Sequence, residues 1–194
     1  MTRGRADAYF EALQREFPAL RIVHKEHDPF SRFVDGLLKL VTLGGQREYL
    51  TRYTTVLGST IYVPTSWGER GDAERYITLR HEAVHLRQAA RMGRFVMGLV
   101  YALPILPIGL AYGRARIEWE AYADTLRAIS EVHGVAYARS PAVTEHIVRQ
   151  FTTAAYLWMW PFPGQVRRWI ARELDAIEAE RGTTSVQPTP GPPY

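Results

Sequence analysis

Tyr76-Ile77-Thr78-Leu79-Arg80-His81-Glu82-Ala83-Val84-His85-Leu86-Arg87-Gln88 is the stretch that decides how this 194-residue chain is read. It holds the pattern H-E-x-x-H inside a helical run. At about 100° per residue, positions i and i+4 share one helix face, so His81 and His85 can grip a single ion. Glu82 then stands close enough to take a proton from a metal-bound water. Zinc is the expected metal, because it accepts imidazole and carboxylate ligands and keeps a position open for catalysis. Two unrelated histidines on an amphipathic helix would show the same spacing. The surroundings argue for more: Asp72 reads as an N-cap, Gly93 as a C-terminal stop, and Ile77, Val84 and Leu86 as apolar positions between them.

Two histidines need a third ligand. The continuation H-x-x-G-x-x-H is absent, since Gln88 and Arg91 stand where its Gly and His would be. A downstream glutamate is the other usual solution, and Arg116-Ile117-Glu118-Trp119-Glu120-Ala121-Tyr122-Ala123-Asp124 offers two. In these two helices the chain resembles the gluzincin clan of zinc metallopeptidases, whose third ligand is a helical Glu, often in an E-x-x-A-D or E-x-x-x-D setting. Read literally, Glu120-x-x-Ala123-Asp124 is the closer match. The helical wheel points the other way. With Arg114 at the origin, Ile129, Tyr122, Ala115, Leu126 and Trp119 form an apolar stripe at about 60° to 140°. Glu120 falls near ~240°, on a solvated face with Arg116, Arg127 and Asp124. Glu118 falls near ~40°, at the edge of the stripe beside Ala121 and Thr125, where a carboxylate needs a partner and a metal supplies one. Glu118 is therefore the preferred ligand and Glu120 the alternative. That preference puts Tyr122 where the resemblance implies an orienting Asp, and leaves the partner of His81 open.

Composition sets the frame. A chain of this length, 46% hydrophobic, suits one domain over residues 1–181, with a Pro-rich, disordered tail over 182–194. No cysteine is present, so neither disulfides nor thiolate metal sites are available. The amphipathic start, without an apolar signal core, points to a cytoplasmic protein. The net charge of +4 comes from arginines scattered along the chain, with Lys25 and Lys39 the only lysines. Nucleic acid is not the expected partner.

Taken in order, residues 6–17 carry helical periodicity up to Pro18, and Leu20 to His24 reads as a strand. Asp28-Pro29 opens a helix running to Gly44-Gly45. Glu48 to Leu57 and Thr60 to Val63, separated by Gly58-Ser59, read as a β-hairpin. Ser140-Pro141 opens a helix to about Tyr156, and residues 164–180 form a last one. The expected class is α+β and mostly helical: a zincin-like arrangement with a small N-terminal sheet ahead of the H-E-x-x-H helix. The resemblance also implies a C-terminal Tyr or His over the metal, for which Tyr156 and His146 are the candidates. The aromatic run Trp158 to Phe162 could cap the core, line a substrate pocket or sit at a membrane interface.

Phe95 to Gly113 carries no charge and is long enough to raise the question of a membrane span. A single crossing would part His85 from Glu118 by ~30 Å, which one ion cannot bridge. Pro104 and Pro107 also break the middle. The expectation is an apolar helical hairpin, buried or resting peripherally on a membrane. The functional expectation is a zinc peptidase acting on a peptide or protein substrate. The rival is a non-catalytic, metal-stabilised module that docks on a membrane or partner protein through the hairpin.

Overall fold

The computed structural model describes residues 3–28, 54–93, 96, 112–153 and 159–184. Helix α1 (Arg5–Glu16) leads to strand β1 (Arg21–His24) and a 3-10 turn (Lys25–His27). Strands β2 (Thr55–Leu57) and β3 (Thr60–Val63) follow, then a 3-10 turn (Thr65–Glu69) and helix α2 (Asp72–Met92). Helices α3 (Tyr112–His133), α4 (Val135–Ala138), α5 (Pro141–Thr152) and α6 (Pro163–Thr184) complete the described chain. The architecture is mostly helical with one small sheet, as expected for the α+β class. The expected helix from Asp28, the segment Glu48 to Tyr53 and nearly all of the apolar stretch lie outside the described residues. So do residues 185–194, while α6 runs three residues past the expected boundary at 181.

The sheet has the order β1-β3-β2. Strands β2 and β3 are the expected hairpin, paired antiparallel around Gly58-Ser59. Gly58 takes φ +61°, which suits the tight two-residue turn. Strand β1 pairs with β3 in parallel, Arg21 opposite Thr60 and His24 opposite Val63. The central strand is accordingly β-branched and buried at Thr60, Ile61 and Val63.

Two hydrophobic clusters make the core. One joins α1, the sheet and α2 through Leu13, Leu20, Ile61, Val63, Leu79 and Leu86. The other joins α3, α5 and α6 through Leu126, Ile147, Phe151, Met159, Ile170 and Leu174. Trp160 belongs to the second cluster, stacked on Trp169 with ring centroids 6.2 Å apart, so Met159 and Trp160 of the aromatic run cap this core, while Trp158 lies outside the described residues. Helix α3 takes part in both clusters, with Ala128 in the first and Tyr122 in the second.

Helix ends follow local chemistry with one exception. Ser140 caps α5 by accepting from Val143 N at 3.4 Å, with Pro141 in the first turn. Helix α2 stops at Gly93, whose φ of +83° ends the helical path. Asp72 does not cap α2, where Gly71 holds the N-cap position. Its carboxylate instead accepts from Arg5 N at 2.8 Å and Ala6 N at 3.0 Å, capping α1 from a distant part of the chain. Gly4 makes room for it, since a Cβ there would collide with Asp72 Oδ1. The same carboxylate lies in the first turn of α2, so it faces the positive ends of two helix dipoles. Asp72→Ala is expected to destabilise the fold by about 1–2 kcal/mol, and Asp72→Asn by less, in chemical denaturation.

Candidate metal centre

Helices α2 and α3 run antiparallel, and their polar contacts form a ladder through the seam between the two cores. Tyr76 OH donates to Glu131 Oε2 at 2.8 Å. Arg80 grips Asp124 with Nε and NH2 at 2.9 and 2.6 Å and reaches Glu131 at 3.0 Å. Asp124, the acid of the E-x-x-A-D pattern, is thus committed to an arginine. Further along, Gln88 donates to Ile117 O at 3.0 Å and Glu120 Oε2 at 2.8 Å. Buried Ala121, fully enclosed, leaves the space in which the helices approach.

Between these rungs the structure brings together His81, His85 and Glu118. The two Nε2 atoms stand 3.3 Å apart, and each is 3.8 Å from Glu118 Oε2. Glu118 is 3% exposed, so the carboxylate faces inward as the wheel required. Glu120 instead bonds Gln88 and Arg91, the latter at 3.3 Å. Among the described residues, His81, His85 and Glu118 are the group of His and acidic side chains able to hold a metal ion.

The hydrogen-bond partners fix where the ring protons sit. Thr125 Oγ1 donates to Ala121 O at 2.9 Å, so toward His81 Nδ1, 3.0 Å away, it can only accept. Both amide hydrogens of Gln88 are given to Ile117 O and Glu120, so its Oε1 accepts from His85 Nδ1 at 2.9 Å. With Nδ1 of each ring engaged by Thr125 or Gln88, the two Nε2 atoms are turned toward each other and toward Glu118. Burial, with His85 adding to it, drives the His81 pKa well below its ordinary value and keeps that ring neutral. Two imidazole nitrogens and a carboxylate oxygen converge in this buried space, the donor set that zinc accepts. The N···N separation also matches the roughly 3.3 Å edge of a tetrahedron with ~2.0–2.1 Å bonds, the geometry of zinc on imidazole. The carboxylate stands about 0.5 Å beyond that edge, a gap within side-chain adjustment.

Glu82 is 6% exposed, one residue from His81. Burial pushes its pKa up to about 7, with Glu118 adding to the rise and His85 and Lys25 opposing it. Such a carboxyl exchanges its proton near neutrality. Lys25, fully buried at the end of β1, donates to Thr55 Oγ1 at 3.0 Å.

Tyr122 takes a different part from the one the resemblance implied. Its ring meets His81 edge-on at 4.8 Å and packs on Phe151 at 5.5 Å, while Thr125 supplies the hydrogen bond that orients His81. Thr125 and Gln88 escaped the sequence reading. Their signal was positional: 81, 85 and 88 share one face of α2, and 118, 121 and 125 share one face of α3. Of the two candidates for a group over the metal, His146 is exposed on α5 and is not part of the His-His-Glu group. Tyr156 lies outside the described residues.

No family model, curated protein or solved structure matches this chain. The gluzincin resemblance rests on the α2 and α3 motifs alone.

Glu118→Ala is expected to abolish stoichiometric zinc binding, measured by native mass spectrometry, while Glu120→Ala keeps the metal with weakened affinity. Thr125→Val and Gln88→Leu should each lower zinc affinity about 10–100-fold in chelator competition, because each removes the acceptor that orients one imidazole.

Proposed function

We propose that the chain is a zinc-dependent peptidase, with His81, His85 and Glu118 as ligands and Glu82 as general base. The observation that carries this reading is the convergence of the three groups: hydrogen bonds at Nδ1 to Thr125 and Gln88 turn both Nε2 atoms toward Glu118 Oε2. Three protein ligands are the number that catalytic zinc sites use, whereas structural sites use four. Zinc bound there supplies Lewis acidity, polarising the scissile carbonyl and acidifying water.

The remaining work falls to Glu82. Its carboxylate takes a proton as the water oxygen bonds the carbonyl carbon. It then returns that proton to the amide nitrogen as the C–N bond breaks, leaving a carboxylic acid and an amine. Burial supports this role, because a carboxyl that is half-protonated near pH 7 can both accept and donate without a large driving-force penalty. Tyr122 and Thr125 hold the His81 ring in position, and Gln88 does the same for His85.

Glu82→Gln keeps size and ligands and removes the proton acceptor. Against a peptide library it is expected to lower turnover on the order of 10²–10⁴ or more, with zinc content and thermal stability maintained. Equal cleavage by both forms would refute the assignment. A zinc-loaded parent that cleaves nothing would favour the non-catalytic module.

A further inference from the structure

The arginines are spread along the chain, but the carboxylates are not. Residues 83–117 contain five arginines and no Asp or Glu, and residues 146–172 contain four arginines and no Asp or Glu. The fold brings Tyr112 of the first stretch and Trp160 and Phe162 of the second together in a row of aromatic rings. Tyr112 lies 5.5 Å from Trp160, and Trp160 lies 5.2 Å from Phe162. Trp160 is anchored, its Nε1 donating to Gln165 Oε1 at 3.0 Å and its backbone N–H to Phe151 O at 3.0 Å. The flanking rings are open to solvent, Tyr112 at 55% and Phe162 at 47% exposure. Among the described residues, four large hydrophobic side chains are exposed, and three of them, Val96, Tyr112 and Phe162, lie in the acid-free stretches. Pro161 and Pro163 are exposed beside Phe162.

Positive charge borders the row. Arg116 is exposed one helical turn after Tyr112, on the same face of α3. Arg168 is exposed on α6 and folds back toward Gly164, two residues after Phe162, its NH1 coming 3.8 Å from where a Cβ of Gly164 would lie. Neither forms an ion pair among the described residues.

We propose that this face docks on the surface of an anionic lipid bilayer. Rigid exposed rings on an anchored tryptophan suit the headgroup level, where an apolar body meets a wet boundary. Exposed arginines that form no ion pair among the described residues complement a negative leaflet. Nucleic acid shares the anionic chemistry, but it gains little from the two exposed prolines beside Phe162, which a bilayer interface takes up. No described helix is long and apolar enough to cross a membrane. This inference is independent of the peptidase reading.

The test is sedimentation of the full chain with phosphatidylcholine vesicles, with and without phosphatidylglycerol. The expected result is binding to the anionic vesicles alone, reversed by high salt as screening shortens to roughly 3 Å at 1 M. Arg116→Gln with Arg168→Gln should weaken binding roughly twenty-five-fold, about fivefold for each charge. Tyr112→Ser with Phe162→Ser should weaken it at least tenfold with the circular dichroism spectrum unchanged. All four positions are exposed, so these variants are expected to fold. No binding to anionic vesicles, or undiminished binding by the serine pair, overturns the proposal. So does a dimer that the serine pair dissociates, or a single-stranded oligonucleotide that binds this face while vesicles do not.

Discussion

Everything at the centre depends on the close antiparallel contact of α2 and α3, because neither helix alone can orient its own functional groups. The imidazole of His81 comes from α2, but the hydroxyl that fixes its hydrogen comes from α3. Gln88 lies on the same helix as His85, yet its amide is turned the right way only by Ile117 O and Glu120 across the seam. The ion pair of Arg80 with Asp124 sets the same register one residue before the His81–Thr125 contact. A shift of α3 by one residue would rotate Glu118 and Thr125 by about 100° and remove both from the site.

The buried charges also have to be compatible. Glu82 and Glu118 are two carboxylates in one enclosed region, and Lys25 brings a buried cation to the same neighbourhood. Burial chiefly raises Glu82 and Glu118 adds to it; a divalent ion on Glu118 and the imidazoles would offset the second contribution, so the proposed general base should be more readily ionised in the loaded protein. The outer partners Thr125 and Gln88 are neutral, unlike the carboxylates that often support zinc-bound histidines. Under the proposed reading, a bound ion would keep more of its positive charge available for polarising a carbonyl.

Much of this was legible from residue order. The helix bearing His81 and His85 has the expected extent, and Gly93 ends it as expected, because both features are local. The wheel separated Glu118 from Glu120 because a 22-residue helix keeps its phase over that span. Ser140-Pro141 announced α5 for the same reason, although the helix ends at Thr152 and not near Tyr156, as Thr153 adopts extended backbone angles. What escaped involved partners distant in sequence. Asp72 looked like the cap of its own helix, and no local rule reveals that its oxygens are taken by Arg5 and Ala6. Thr125 and Gln88 looked ordinary until the facing helix was in place. The parallel pairing of β1 with β3 was likewise invisible, since strand propensity says nothing about the neighbour.

The shared carboxylate of Asp72 has a consequence for the order in which the molecule assembles. A twelve-residue helix is marginal in water by itself, and α1 has no side-chain cap within its own segment. Its first turn is completed only when a residue 66 positions away arrives, which requires closing a long loop. Helix α5, capped by the adjacent Ser140, carries no such requirement. Helix α1 should therefore gain its order late, by docking onto an α2 that is already formed, and open early when the protein is stressed. In amide exchange its backbone would be released before that of α2, leaving the paired helices of the metal centre as the slower-opening unit.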